Sequence, residues 1–147
     1  MSPHTRQAAK VKPLLQTRIA PSEIRMTDDG GLFVAFERAA FGTLCVPLPR
    51  GHTRHSLTVH LGEKLNADGR IDRKPPGTIR YRRIEQTIEP GQTLCRLIIP
   101  SDERNTGPAA IKMPAEVGEV LPFRYAEIES GADIPAEGIC QIAVHYP

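Results

Sequence analysis

Apolar side chains recur at every second position in several short stretches of this chain, and no other feature constrains its fold as strongly. Leu57, Val59 and Leu61 alternate with polar residues, and the same alternation runs through residues 93–99 and 138–146. A period of two is typical of β-strands that bury one face against a core. Helical periodicity is nearly absent, so the pattern predicts a protein built from short strands.

Glycine and proline separate these stretches and predict where the chain turns. The 147 residues include 14 Pro and 12 Gly, and this proline content is about twice the average usage of ~5%. Residues 23–27 and 32–36 flank the sequence Asp-Asp-Gly-Gly at 28–31. Glycine readily takes the positive φ that tight turns need, so this segment predicts a β-hairpin.

Two irregularities in the strands are expected from the same pattern. Residues 37–42 offer one helical turn at most, and Pro47 predicts an edge position or a bulge for its strand, because proline donates no ladder hydrogen bond. The apolar phase shifts within residues 77–88. A shift by one residue moves every following side chain to the other face of the strand, so we expect a bulge near Arg82 and Arg83.

About nine short strands joined by turns predict an all-β fold, an antiparallel two-sheet sandwich with jelly-roll-like connections. Residues 1–12 are polar and basic and are expected to form an N-terminal arm. Residues 13–147 are expected to form a single β-sandwich domain, since a chain of this length is near the commonest domain size.

The compartment is predicted from what the sequence lacks. No window approaches the ~18 apolar residues of a membrane span, and the N-terminus has no apolar run of the kind found in secretory signals. The three cysteines are scattered and odd in number, which argues against a disulfide framework. We therefore expect a soluble protein without membrane association, located in a reducing cytoplasm, or in a virion if the source is viral.

Charge is distributed in blocks, although the net charge is only +2. Residues 1–18 carry four basic side chains and no acidic one, residues 70–83 carry six against a single Asp, and residues 102–137 carry eight acidic side chains against three basic ones. Such blocks are usually solvated surface, and the sharper interpretation is that they form complementary patches that dock subunits head to tail. The candidate interaction residues are the basic ones of the arm and of the second block: Arg6, Lys10, Lys12, Arg70, Arg73, Arg80, Arg82 and Arg83.

The densest set of potential metal ligands is His52, His55, His60 and Glu63. The run that holds them superficially resembles the first motif of the cupin family, and this resemblance implies a small metal- or ligand-binding β-barrel enzyme. The chain departs from that motif because the His-x-His pair is missing. Its histidines are three and five residues apart, and residues at such spacings do not all share one face of a strand. A cupin-like protein is therefore kept as the alternative.

Nucleic-acid binding is a second alternative, because the basic residues at 80–83 would contact phosphates. Aromatic residues make up only 5% of the chain and there is no Trp, which disfavours a stacking surface for single strands. No nucleophile elbow, Walker loop, dinucleotide fingerprint or C-x-x-C pair occurs. Cys95 and Cys140 fall on apolar faces, where they are expected to pack as small hydrophobic residues.

These observations predict a non-enzymatic structural or assembly subunit that needs no cofactor. Its partners would be copies of itself or a larger protein assembly. A β-sandwich with a basic arm resembles, in general plan, the coat, cement and decoration proteins of virions. That resemblance concerns architecture alone, and it implies assembly through surface patches.

Overall fold

A computed structural model describes residues 15–100 and 119–145, and these residues form an all-β, antiparallel fold. A single turn of 3₁₀ helix, Gly131–Asp133, follows the seventh strand. Within the described ranges, no helix is long and apolar enough to cross a membrane. The described part of the chain contains eight strands: β1 (Leu15–Ile19), β2 (Glu23–Met26), β3 (Leu32–Pro47), β4 (His55–Gly62), β5 (Tyr81–Ile88), β6 (Leu94–Arg96), β7 (Leu121–Ile128) and β8 (Cys140–His145).

The sheet is organised around β3, the longest strand. The hydrogen-bonded order is β1-β8-β3-β7-β4-β5, and β2 and β6 also pair with β3. Residues 32–35 of β3 lie between β2 and β7, whereas residues 42–47 pair with β8 and β6. The register against β7 shifts between Ala35 and Ala40. Strand β7 pairs with β3 on both sides of this irregularity, whereas β2 pairs only with the first half of β3, and β8 and β6 pair only with the second.

One apolar core is shared by both halves of β3. Val34 and Phe36 from the first half belong to the same buried cluster as Leu44 and Val46 from the second. Burial of each such side chain contributes about 1.5–3 kcal/mol. Strands β4, β5 and β7 and the segment that follows β6 complete this cluster, so the sheet curls around it.

Gln86 links the last strand of the sheet order to the segment after β6. Its side-chain oxygen accepts a hydrogen bond from the backbone N–H of Ile98 at 2.8 Å, and its amide nitrogen donates to the carbonyl of Arg96 at 3.4 Å. A side chain thus takes the place of ladder hydrogen bonds between these two segments. The edge of β5 is thereby tied back to the region of β6.

The all-β, antiparallel prediction is confirmed, and so is the first hairpin. Strand β2 pairs with β3 from Glu23 with Ala35 to Met26 with Leu32, and Gly30 in the intervening turn has a φ of 84°. The two-sheet sandwich and its jelly-roll connections stay predictions. The predicted arm, residues 1–12, lies outside the described residues.

One local prediction is wrong in the central strand. Residues 37–42 continue β3 as a strand and form no helical turn. Pro47 is the last residue of β3, which is a central strand, so its missing donor falls where the strand ends. The sequence predicts an edge position or a bulge for the strand that holds Pro47, and β3 has a bulge or irregularity between Ala35 and Ala40.

The bulge expected near Arg82 and Arg83 is absent from β5. Strands β4 and β5 pair without a register shift along all eight residues of β5. The apparent phase shift arises because Tyr81 projects away from the core, where it contacts His60. An outward-facing aromatic residue was thus counted as part of the apolar face.

Candidate functional site

Three large apolar side chains are exposed on the outer surface of β3 and of the β6 segment. Phe41 is 56% exposed, Leu94 45% and Ile98 73%. Cys95, Leu97 and Ile99 are buried, so strand alternation turns Leu94 and Ile98 away from the core. Phe41 lies three residues before the core residue Leu44 in the same strand, and this odd spacing places Phe41 on the opposite face. We call Phe41, Leu94 and Ile98 the apolar face.

The backbone beneath the apolar face is held by hydrogen bonds. The hydroxyl of Thr43 donates to the carbonyl of Leu97 at 2.6 Å, and the backbone N–H of Leu97 donates to the carbonyl of Leu44 at 2.9 Å. Arg96 lies between Leu94 and Ile98 in sequence and donates to the side-chain oxygen of Gln16 at 3.0 Å. The face is therefore presented by strands whose positions are fixed.

A second feature, which we call the polar cluster, lies on the outer surface of β4, β5 and β7. It consists of His60, Tyr81, Glu127, Glu129 and Arg70. Cross-strand pairing places His60 of β4 opposite Glu127 of β7. Paired residues of adjacent strands project to the same face, so register alone brings these two side chains together.

His60 is the most buried member of the polar cluster, with 1% of its surface exposed. Its Nε2 lies 2.6 Å from Oε2 of Glu129 and its Nδ1 lies 2.6 Å from the hydroxyl of Tyr81. A carboxylate can only accept, so Nε2–H donates to Glu129; in the neutral imidazole Nδ1 then accepts from Tyr81. Burial raises the pKa of Tyr81, which keeps its hydroxyl protonated as a donor.

Glu127 is a buried carboxylate that receives hydrogen bonds from two neighbouring residues. Arg70 donates to Oε1 and the backbone N–H of Ile71 donates to Oε2, each at 2.8 Å, while Arg73 lies 3.7 Å from Oε1. Burial alone raises the pKa of Glu127, but the hydrogen bonds and the two guanidinium groups outweigh it, so the net pKa is lowered. The carboxylate stays charged at neutral pH.

These contacts fasten the loop between β4 and β5 onto the outer surface of the sheet. Ile71, at the centre of the loop, is buried and packs over Gly62. A Cβ on Gly62 would lie 2.5 Å from Cγ2 of Ile71, closer than packed carbon atoms approach. Arg25 donates to the carbonyl of Gly69 at 2.7 Å and holds the other side of the loop.

A cleft of about 290 Å³ lies beside the polar cluster, and its lining includes the charged residues Asp29, Arg70, Arg73, Glu127 and Glu129. These charges largely bind one another, since Arg70 contacts both Asp29 and Glu127. Side chains engaged in this way serve to hold the loop to the sheet.

The predicted basic patch is divided between different partners. Arg70 and Arg73 converge on Glu127, whereas Arg83 forms an ion pair with Glu85 at 2.5 Å. Of the remaining residues of the patch, Arg80 lies just before β5 and Arg82 lies near its start. Both have contacts of their own. Arg6, Lys10 and Lys12 lie outside the described residues.

The four candidate metal ligands are not brought together. The rings of His52 and His55 lie 5.5 Å apart, and each has a nitrogen directed at a backbone carbonyl. His60 lies at the other end of β4, where both of its nitrogens are engaged, and Glu63 accepts a hydrogen bond from the backbone N–H of Arg80. Among residues 15–100 and 119–145, no group of three or more His, Cys, Asp or Glu is placed to hold a metal ion.

All three cysteines are buried and free, which confirms the packing role expected for Cys95 and Cys140. Cys95 lies in the main core. Cys45 and Cys140 form a second cluster with Ile142 on the opposite side of β3 and β8.

The apolar face and the polar cluster have little signal in the sequence. The alternation around Leu97 does indicate that Ile98 faces outward, but Phe41 falls in residues 37–42, whose sequence predicts a helical turn. Glu127 and Glu129 carry no local signal, because their partners His60 and Arg70 are more than fifty residues away along the chain.

Comparison with known proteins identifies no relative. No family model matches the chain, and neither the curated proteins nor the solved structures include a significant match.

Proposed function

We propose that this protein is a non-enzymatic assembly subunit and that it associates with a second copy of itself through the apolar face. The observation that carries the proposal is the exposure of Phe41, Leu94 and Ile98. The pairing of Leu94 with Pro47 places Leu94 on the same side of β3 as Phe41, which is six residues from Pro47 along the strand. Clustered apolar side chains on a surface mark sites of protein interaction, whereas isolated ones are common and need no explanation.

A second copy suits this surface because apolar groups are complementary to themselves. In a two-fold contact the same patch is used by both subunits, so each group must tolerate its own kind opposite. The exposed parts of Phe41, Leu94 and Ile98 satisfy that condition.

The proposed subunit is a β-sandwich, jelly-roll-like in its connections. The curled sheet supports this description, since Val34 and Leu44 from the two halves of β3 meet in one core. The general plan resembles that of virion coat, cement and decoration proteins. We propose further that the basic arm of residues 1–12 contributes to assembly, in a reducing cytoplasm or in a virion.

Sedimentation velocity of the full chain over a range of concentrations tests the proposal. Phe41→Thr combined with Ile98→Thr keeps strand-compatible residues while removing most of the apolar surface. We expect association to weaken at least tenfold, equivalent to about 1.4 kcal/mol. A chain that lacks residues 1–12 shows in the same experiment whether the arm contributes.

Met26→Thr is the matched control, because Met26 is 64% exposed but lies on β2, away from the apolar face. We expect this variant to associate like the unmodified chain. An unmodified chain that stays monomeric at every concentration would refute the proposal. So would a control variant whose association is weakened as much as that of the double variant.

A further inference from the structure

Cys45 and Cys140 lie directly opposite each other on adjacent strands. They are register partners in the antiparallel pairing of β3 with β8. Both are buried, and they share one cluster with Ile142. The third thiol, Cys95, belongs to the other face of β3, where it is paired with Val46 and packed in the main core.

The spacing of such a pair is close to that of a disulfide. Directly opposed residues in antiparallel strands have Cα atoms roughly 4.5–5.5 Å apart and Cβ atoms at a similar spacing on the same face. A disulfide accommodates Cα separations of about 4.4–6.8 Å and Cβ separations of about 3.5–4.5 Å. Cys45 and Cys140 therefore need to approach by no more than about 1 Å.

We propose that Cys45 and Cys140 are an oxidation site, at which a peroxide converts the two thiols into a disulfide between β3 and β8. The oxidant is of the class of hydrogen peroxide, which is small enough to enter a packed sheet during local opening. This inference is independent of the proposed assembly function.

Cys140 is the thiol that reacts first. Nη1 of Arg18 lies 3.9 Å from its Sγ, so a side chain of β1 covers this thiol. Burial raises the pKa of Cys45. Arg18 belongs to β1, an edge strand whose first four residues are exposed, so fraying of β1 gives the peroxide access to Cys140.

The reaction balances in two steps. The Cys140 thiolate attacks one oxygen of the peroxide and breaks the O–O bond, which gives a sulfenic acid, and the departing hydroxide takes up the thiol proton as water. The sulfur of Cys45 then attacks the sulfenic sulfur, the S–S bond forms, and the sulfenic oxygen leaves as a second water with the Cys45 proton. Two thiols are oxidised by two electrons and one peroxide is reduced to two waters.

The expected result is measured on the full chain by mass spectrometry and thiol titration in denaturant. After peroxide treatment, the mass falls by two hydrogens and the titratable thiols fall from three to one. Peptide mapping should identify a Cys45–Cys140 cross-link that dithiothreitol reverses. The midpoint of urea unfolding should be higher for the oxidised chain than for the reduced one, because the bond closes a long loop.

Three variants provide the controls. Cys45→Ala and Cys140→Ala should abolish the loss of two hydrogens, whereas Cys95→Ala should retain it. If either of the first two variants fails to fold, the peptide map of the unmodified chain shows which two cysteines form the cross-link. A cross-link through Cys95, a bond between two chains, or three thiols still titratable after prolonged treatment would overturn the proposal.

Discussion

Replacing Glu127 with Gln tests whether the polar cluster holds the loop onto the sheet. The substitution keeps the size of the side chain but removes its charge. A single amide oxygen then has to serve both Arg70 and the backbone N–H of Ile71, which now bind separate carboxylate oxygens. One of the two donors loses its acceptor.

The expected loss of stability is about 3 kcal/mol. Breaking a buried ion pair typically costs about 3–5 kcal/mol, and the lower end applies because Arg70 is 31% exposed and can be rehydrated. Glu85→Gln is the matched control, since Glu85 pairs with Arg83 on β5 but both side chains are about half exposed. An exposed pair of this kind contributes at most about 1 kcal/mol.

Urea unfolding followed by circular dichroism measures both variants at pH 7 and in acid. The pKa of Glu127 is lowered by folding, so its stabilising contribution is complete above the unfolded-state value of about 4.3. That contribution is lost as the pH falls through the lower, folded-state pKa. The difference between Glu127→Gln and the unmodified chain should therefore shrink below about pH 4. Equal losses for the two variants at pH 7 would refute this account of the loop.

Three other substitutions and treatments have defined outcomes. Gly42→Ala should either unfold the chain or lower its free energy of unfolding in urea by more than about 3 kcal/mol, because a Cβ there collides with the backbone carbonyl of Ile142 in β8. His60→Leu should lower the free energy of unfolding by about 1–3 kcal/mol in the same assay, because it leaves the Tyr81 hydroxyl without its buried hydrogen-bond partner. The pKa of Cys95 is raised by burial to about 11, so iodoacetamide at pH 8 should alkylate Cys95 only in denaturant, as peptide mapping would show.

Strand content could be predicted from the sequence because its signal is local. The alternation at residues 56–61 and 93–99 reports one buried face, and both segments are strands or extended chain at those positions. Residues 37–42 form a strand although their sequence Glu-Arg-Ala-Ala favours a helix when considered alone. Pairing with neighbouring strands overrides that preference, as it often does within a sheet.

The polar cluster could not be predicted because it depends on which strands become neighbours. His60 and Glu127 lie opposite each other because β4 pairs with β7. No spacing along the chain shows which strands become neighbours. The charges at 70–83 were recognised, but their partners were not. Arg70 and Arg73 looked like an external basic patch, whereas in the structure they approach a buried carboxylate.

Amide hydrogen exchange, measured in dilute and in concentrated solution, tests the assembly proposal most directly. If copies meet through the apolar face, concentration should slow exchange in peptides that contain Phe41 and residues 94–98, while β2 and β5 remain unchanged. Exchange that is the same at both concentrations throughout these peptides, or protection confined to β2 and β5, would contradict the proposal.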